Sequence, residues 1–334
     1  MTLRTKLMAA VGATAMLAGA QAAAQPSEIT VAYFLEWPMP FQYAKVNGTY
    51  EEAMGVDINW VAFDTGTAMS AAMASGDVQL AVSQGVPPFV VATSAGQDLK
   101  ILDVAVSYSD NDNCVVADKL EIDASNATDL NGKRIGVPIG TAAHYGFLSQ
   151  MNHFGVDLST VEVVDMAPAD GAAAFAQGSL DAVCGWGGAL RRMKEHGNVL
   201  LTGAEKEELG ILVFDVTSAP ADFVAENPEL VQTFLQVTAE ANAQWNSGAE
   251  AQAEMLPVIA QDAGMEEAAT RATIETFVFP SVEDQLSEQW LGGGAQEFMK
   301  GVAGVFTEAG SIPAALDTYE DAVDVEPLSA VSGG

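Results

Sequence analysis

Gly132-Lys133-Arg134-Ile135-Gly136-Val137-Pro138-Ile139-Gly140-Thr141-Ala142-Ala143-His144-Tyr145-Gly146-Phe147-Leu148 reads as a strand, a turn and the start of a helix. Residues 133–137 make a short buried strand, Pro138 and Gly140 break it, and Thr141 can cap a helix from about Ala142. A strand that ends at such a turn and re-enters as a capped helix aims free backbone N–H groups beyond the sheet's carboxyl edge. Those groups and the helix dipole suit an anion. His144 and Tyr145, in the helix's first turn, add side-chain donors beside them. Taken singly this is an ordinary βα turn; its recurrence along the chain is what suggests a site.

The recurrence is visible as an internal echo. Ala71-Ala72-Met73-Ala74-Ser75-Gly76-Asp77-Val78-Gln79-Leu80-Ala81-Val82 aligns without gaps onto Ala173-Ala174-Phe175-Ala176-Gln177-Gly178-Ser179-Leu180-Asp181-Ala182-Val183-Cys184. Each copy is a small-residue helix ending at a glycine and feeding a buried strand. Each strand then meets a glycine turn, Gln84-Gly85 before Val86-Pro87-Pro88 in the first and Gly185-Trp186-Gly187-Gly188 in the second. Strands are expected at residues 29–34, 56–63, 78–82 and 99–107, then at 114–117, 133–137, 161–166 and 181–185, with a later one at 212–217. A polar break at residues 107–113 separates the two sets, and the chain beyond residue 228 is helical. Two copies are too few for a solenoid. The pattern predicts an α/β protein of two similar lobes: residues 25–111 with 216–334, including the C-terminal helices, and residues 112–215.

Residues 1–24 read as an export leader: Arg4 and Lys6, an apolar core at 7–20, then Ala22-Ala23-Ala24. The apolar core is too short to span a membrane. The full chain carries a formal charge of −32, and the leader holds two basic and no acidic residues, so the remainder stands at −34. That charge disfavours nucleic acid and anionic membrane as partners. An apolar fraction of 49% excludes disorder. Cys114 and Cys184, the only cysteines, both lie in apolar strand-like runs. An exported chain can bridge them, with about 4 kcal/mol of stabilisation on the chain-entropy model, or keep two buried thiols.

Enzyme chemistry finds little support. The three histidines, His144, His153 and His196, lack metal-ligand spacing, and no nucleophile elbow, phosphate loop or complete dinucleotide fingerprint is present. No metal and no cofactor are expected. A binding cleft fits better, with turns at Gly85, Thr141 and Gly187-Gly188 offering N–H groups from both lobes to an anion. For a cation, Glu36, Asp112 and Asp215 stand at predicted strand ends, with Trp37, Tyr145 and Trp186 as walls. Asp215 sits within an apolar run, where an unpaired carboxylate is costly, and is the strongest of the three.

Several segments resemble the periplasmic substrate-binding proteins of taurine and aliphatic-sulfonate ABC importers, in the wider group that includes nitrate and thiamine-precursor binders. The carriers are Phe63-Asp64-Thr65-Gly66, Ala74-Ser75-Gly76-Asp77-Val78-Gln79, Gly132-Lys133-Arg134-Ile135-Gly136-Val137-Pro138, His144-Tyr145, Trp186 and Phe214-Asp215-Val216. The resemblance implies a type II periplasmic-binding architecture with the ligand cleft between lobes, and a monomer that hands a small zwitterion to an inner-membrane permease. It also implies that Asp215 receives the ligand's amine. The ligand-binding set so read is Glu36, Trp37, Gln84, Gly85, Asp112, Thr141, His144, Tyr145, Trp186 and Asp215. The chain departs from the taurine pattern at Gly85-Val86-Pro87-Pro88, which loses two hydroxyls and one N–H, at Trp186-Gly187-Gly188, and at Glu36-Trp37-Pro38-Met39-Pro40. A sulfonate, a carboxylate or a quaternary ammonium in an aromatic box all stay open, as does an enzyme of the thiamine-precursor type.

Overall fold

The computed structural model describes residues 26–331; the expected leader at 1–24 and the final residues of the tail lie outside them. Ten strands are described: β1 (Glu28–Phe34), β2 (Asp57–Phe63), β3 (Leu80–Gly85), β4 (Leu99–Ser107), β5 (Asp112–Ala117), β6 (Arg134–Val137), β7 (Glu162–Asp165), β8 (Ala182–Trp186), β9 (Gly197–Val199) and β10 (Phe214–Pro220). They form two five-stranded sheets, ordered β2-β1-β3-β10-β4 and β7-β6-β8-β5-β9.

In the first sheet β1 pairs in parallel with β2 and β3, and β10 runs antiparallel to β3 and β4. The second sheet repeats this plan: β6 is parallel to β7 and β8, and β5 lies antiparallel to β8 and β9. The sequence echo is this repetition, because β3 and β8 hold equivalent places beside an antiparallel strand. Gly76 and Gly178, aligned in the echo, both take left-handed backbone, at φ +82° and +74°, where a side chain would be strained. Burial follows position in the sheet. Every residue of β3 and β5 is buried, whereas the edge strands β2 and β7 keep exposed residues along their length.

The chain leaves the first sheet at Ser107, enters the second at Asp112 and returns at Phe214. Phe214 and Asp215 already belong to β10, where they pair with Ser107 and Val106, so this sheet takes in two residues that the pattern assigns to the other lobe. β5 likewise starts earlier than its apolar run, because Asp112 and Asn113 extend the ladder opposite Trp186 and Gly185. Neither β9 nor the short helix Gly203–Glu208 is signalled by periodicity. In the same ladder Cys114 lies opposite Cys184, and the two are joined as a disulfide.

The C-terminal helices Pro228–Asn246 and Ala249–Ala263 pack on the short helices Phe41–Val46 and Thr49–Met54 of the first sheet's side. The helix Gly294–Glu308 touches both Val86–Ser94 and Ala142–Phe154, and so contacts both halves.

Candidate functional site

A small pocket, about 280 Å³ only when the open solvent at its mouth is included, lies where the carboxyl ends of the two sets of parallel strands face each other. Its walls are aromatic: Phe34, Trp37, Tyr108 and Trp186. Gly66, Gly85 and Pro88 from one side and Ala142 from the other complete the apolar lining, and the only charged side chains on it are Asp112 and Asp215. Gly85 packs closely here: a Cβ there would sit 3.4 Å from the Asp215 carboxylate and 3.3 Å from Pro88.

Asp215 is 3% exposed and projects from β10. Tyr108 donates its hydroxyl to Oδ1, and Ser83 Oγ donates to Oδ2 at 2.7 Å. Ser83 in turn accepts the Trp37 indole N–H at 2.8 Å. Trp37 is fixed by ring contacts with Tyr108 and Phe277, at centroid distances of 4.7 and 4.5 Å. Ser83 adopts φ +61°, an uncommon state for a non-glycine residue, at the point where its hydroxyl meets the carboxylate. Burial pushes the Asp215 carboxyl up to about 8, against the two hydroxyl donors, and Asp112 adds to the rise. Asp112, 2% exposed at the start of β5, is pushed up to about 7 by burial, which the Lys206 charge only partly offsets. Its Oδ2 has no hydrogen-bond partner. Lys206, also buried, donates its ammonium to the main-chain carbonyl of Asp112.

Of the residues singled out from the sequence, Trp37, Gly85, Asp112, Trp186 and Asp215 line this cavity. The others have different employment. Glu36 forms a bidentate pair with Arg192, through Nη1–Oε1 at 2.5 Å and Nη2–Oε2 at 3.0 Å, and its carbonyl accepts the Gly188 N–H at 3.2 Å. The Gly188 N–H therefore binds the neighbouring loop instead of being free for an anion. Gln84 points away from the cavity: its amide donates to the Gly66 carbonyl and Ser70 Oγ at 2.9 and 2.7 Å, and its oxygen accepts from Ser218 at 2.6 Å.

Thr141 is the cap of the Ala142–Phe154 helix, accepting from the His144 N–H at 3.4 Å and donating to the Pro138 carbonyl at 2.6 Å. His144 accepts the Gly140 N–H at Nδ1, so that nitrogen carries no proton. Burial pushes its pKa down to about 4, against the pull of Asp165, and the neutral ring stacks on Phe306 at 5.2 Å. Tyr145 packs edge-on against Phe298 and Phe306. The expected His-Tyr donors thus face the C-terminal helix Gly294–Glu308, whose Phe306 packs against both rings and Phe298 against that of Tyr145.

Sequence reading passed over Phe34, Ser83 and Tyr108. Ser83 has no local signal, since its role depends on a carboxylate 132 residues away. Tyr108, an aromatic directly after a buried strand, carries one.

A repeated α/β sheet pair with a cleft between its halves and a buried carboxylate in an aromatic-walled cavity defines the class: a two-lobed binding-protein fold. The chain belongs to the NMT1/THI5-like family, whose model matches residues 38–246. It is 27% identical over 303 residues to the taurine-binding periplasmic protein of Escherichia coli (strain K12), covering 90% of this chain and 92% of that protein. Among solved structures, the alkanesulfonate-binding protein SsuA from Xanthomonas axonopodis pv. citri, bound to MOPS, superposes with a TM-score of 0.73. It shares 22% identity and covers 91% of this chain and 100% of that one. The desulfurization enzyme DSZB has the same fold at a TM-score of 0.60 and 15% identity, covering 90% and 98%. The taurine-binding relative supports a solute-binding role; the two structures, at their low identity, show the fold.

Proposed function

We propose that this chain is the periplasmic solute-binding component of an ABC importer and captures a small zwitterion, taurine or a related aminosulfonate. The observation that carries the reading is Asp215. It is a buried carboxylate held by two hydroxyls, walled by aromatic rings, on a cavity lined by no basic side chain. A ligand cation placed there gains a charge-assisted bond and relieves a costly burial. The ligand's anionic group is assigned to the start of the Ala142–Phe154 helix, at the Ala142 and Ala143 N–H groups, since those of His144 and Tyr145 are held by Thr141. The glycine turn at 187–188 is left out of this assignment, its N–H being spent on Glu36.

A second reading, a betaine-like quaternary ammonium or a carboxylate zwitterion, is favoured by the four aromatic walls. A thermal-shift screen across taurine, other sulfonates, amino acids and betaines decides between them. Stabilisation by aminosulfonates alone supports the first reading, and stabilisation by betaines alone refutes it. Mass analysis of the recovered ligand separates a receptor from an enzyme on the same fold: unchanged ligand supports the receptor, turnover overturns it.

A further inference from the structure

The cavity holds two buried acids where one cation needs only one. Asp215 comes from β10 of the first sheet and Asp112 from β5 of the second, and both line the same small space. Asp112 Oδ2 is buried and makes no hydrogen bond. The buried Lys206 ammonium stands close enough to act on its charge but makes its hydrogen bond to the Asp112 main-chain carbonyl and none to Oδ2. At Asp215, each carboxylate oxygen receives one hydroxyl and keeps a second lone pair. The lining thus has spare acceptor positions on two carboxylates and no side-chain cation to fill them.

We infer that the ligand's ammonium bridges Asp112 and Asp215, one carboxylate from each sheet, so that the cation itself ties the two halves together. A group with several N–H donors suits this geometry, since a primary ammonium presents three in different directions. Burial and mutual repulsion resist ionisation of both acids when the site holds no cation, and a cation between them lets both ionise and attracts them at both ends. Selectivity follows: a ligand with a hydroxyl in place of the ammonium leaves both carboxylates unmatched. This rests on reading the cavity as the solute site and assigns Asp112 a role equal to that of Asp215.

The test uses three probes on the whole mature chain: taurine, β-alanine with the same ammonium and a carboxylate, and isethionate with a hydroxyl for the ammonium. Binding is read by calorimetry and by the fluorescence of Trp37 and Trp186, with melting of the ligand-free protein checking that each variant folds. Asp112→Asn and Asp112→Ala are expected to weaken taurine or β-alanine by at least about tenfold, comparable with Asp215→Asn, because a charge-assisted bond exceeds about 1.4 kcal/mol. Neither is expected to weaken isethionate. Taurine bound equally well by wild type and both Asp112 variants overturns the bridge and leaves the aminosulfonate reading standing. If β-alanine alone binds and needs Asp112, the sulfonate reading falls and the bridge stands. A wild type that takes isethionate but neither ammonium probe overturns the bridge.

Discussion

Asp215→Asn is the substitution whose effect on the ligand-free protein changes sign with pH. Burial raises the Asp215 carboxyl from its ordinary 3.8 to about 8, so between those limits the folded chain holds a proton that the unfolded chain releases. The favourable contribution of the neutral carboxyl is fully present below about pH 4 and is lost as pH rises through about 8. Each pH unit is worth at most about 1.4 kcal/mol, a ceiling of roughly 6 kcal/mol across the window. Asparagine cannot ionise and escapes this loss. It carries its own cost, because Tyr108 and Ser83 both donate to the carboxylate and an amide nitrogen now faces one of them. One misdirected buried hydrogen bond costs about 1 kcal/mol. Asp112, pushed to about 7, titrates in both proteins and largely cancels in the difference, and the Tyr108 hydroxyl is raised by burial out of the range. The variant should therefore be less stable than wild type by up to about 1 kcal/mol below about pH 4, close to it near pH 5, and more stable by a few kcal/mol at pH 9. Urea unfolding of both proteins at three pH values, one acidic below the crossover, one neutral and one alkaline, measures this directly. A stability difference that stays constant across the three pH values refutes the assignment of Asp215 as a carboxyl kept neutral by burial.

Gly187→Ala should lower the melting temperature, because Gly187 sits at φ +55° and an added Cβ would stand 2.6 Å from the Glu36 carbonyl; an unchanged melt counts against that contact. Glu36→Gln removes a half-exposed ion pair with Arg192 and should cost less than about 1 kcal/mol in denaturant unfolding. If it instead weakens ligand binding more than about tenfold, the cation end belongs to Glu36 rather than to Asp215. The unreduced protein should be lighter than its reduced form by the two thiol hydrogens, and removing the Cys114–Cys184 bridge should destabilise by up to about 4 kcal/mol. Labelling of both thiols in the unfolded, unreduced chain would exclude the bridge.

What could be read along the chain were features whose causes are local. Period-2 and period-3.6 patterning, the glycine stops at Gly76 and Gly178, and the Thr141 cap need only a few neighbouring residues, and the gapless echo between residues 71–82 and 173–184 exposed the repeated sheet plan. Asp215 was legible for a similar reason: a carboxylate inside an apolar run announces its own burial cost. The rest depended on partners far away in sequence. Glu36 and Arg192 stand 156 residues apart, and only their meeting removes Glu36 and the Gly188 N–H from the cavity. Ser83 and Gln84 are adjacent, yet one holds Asp215 and the other is spent on Gly66, Ser70 and Ser218, a division set by the left-handed turn at Ser83. His144 and Tyr145 lie within the same helical turn as Ala142, but the helix Gly294–Glu308 claims their rings. Sequence alone determined which elements form and in what order, because backbone preference and hydrophobic period act over a few residues. Tertiary structure decided which polar groups stay unspent in the cleft, because hydrogen-bond partners and desolvation are supplied by everything folded around a group rather than by its neighbours in the chain.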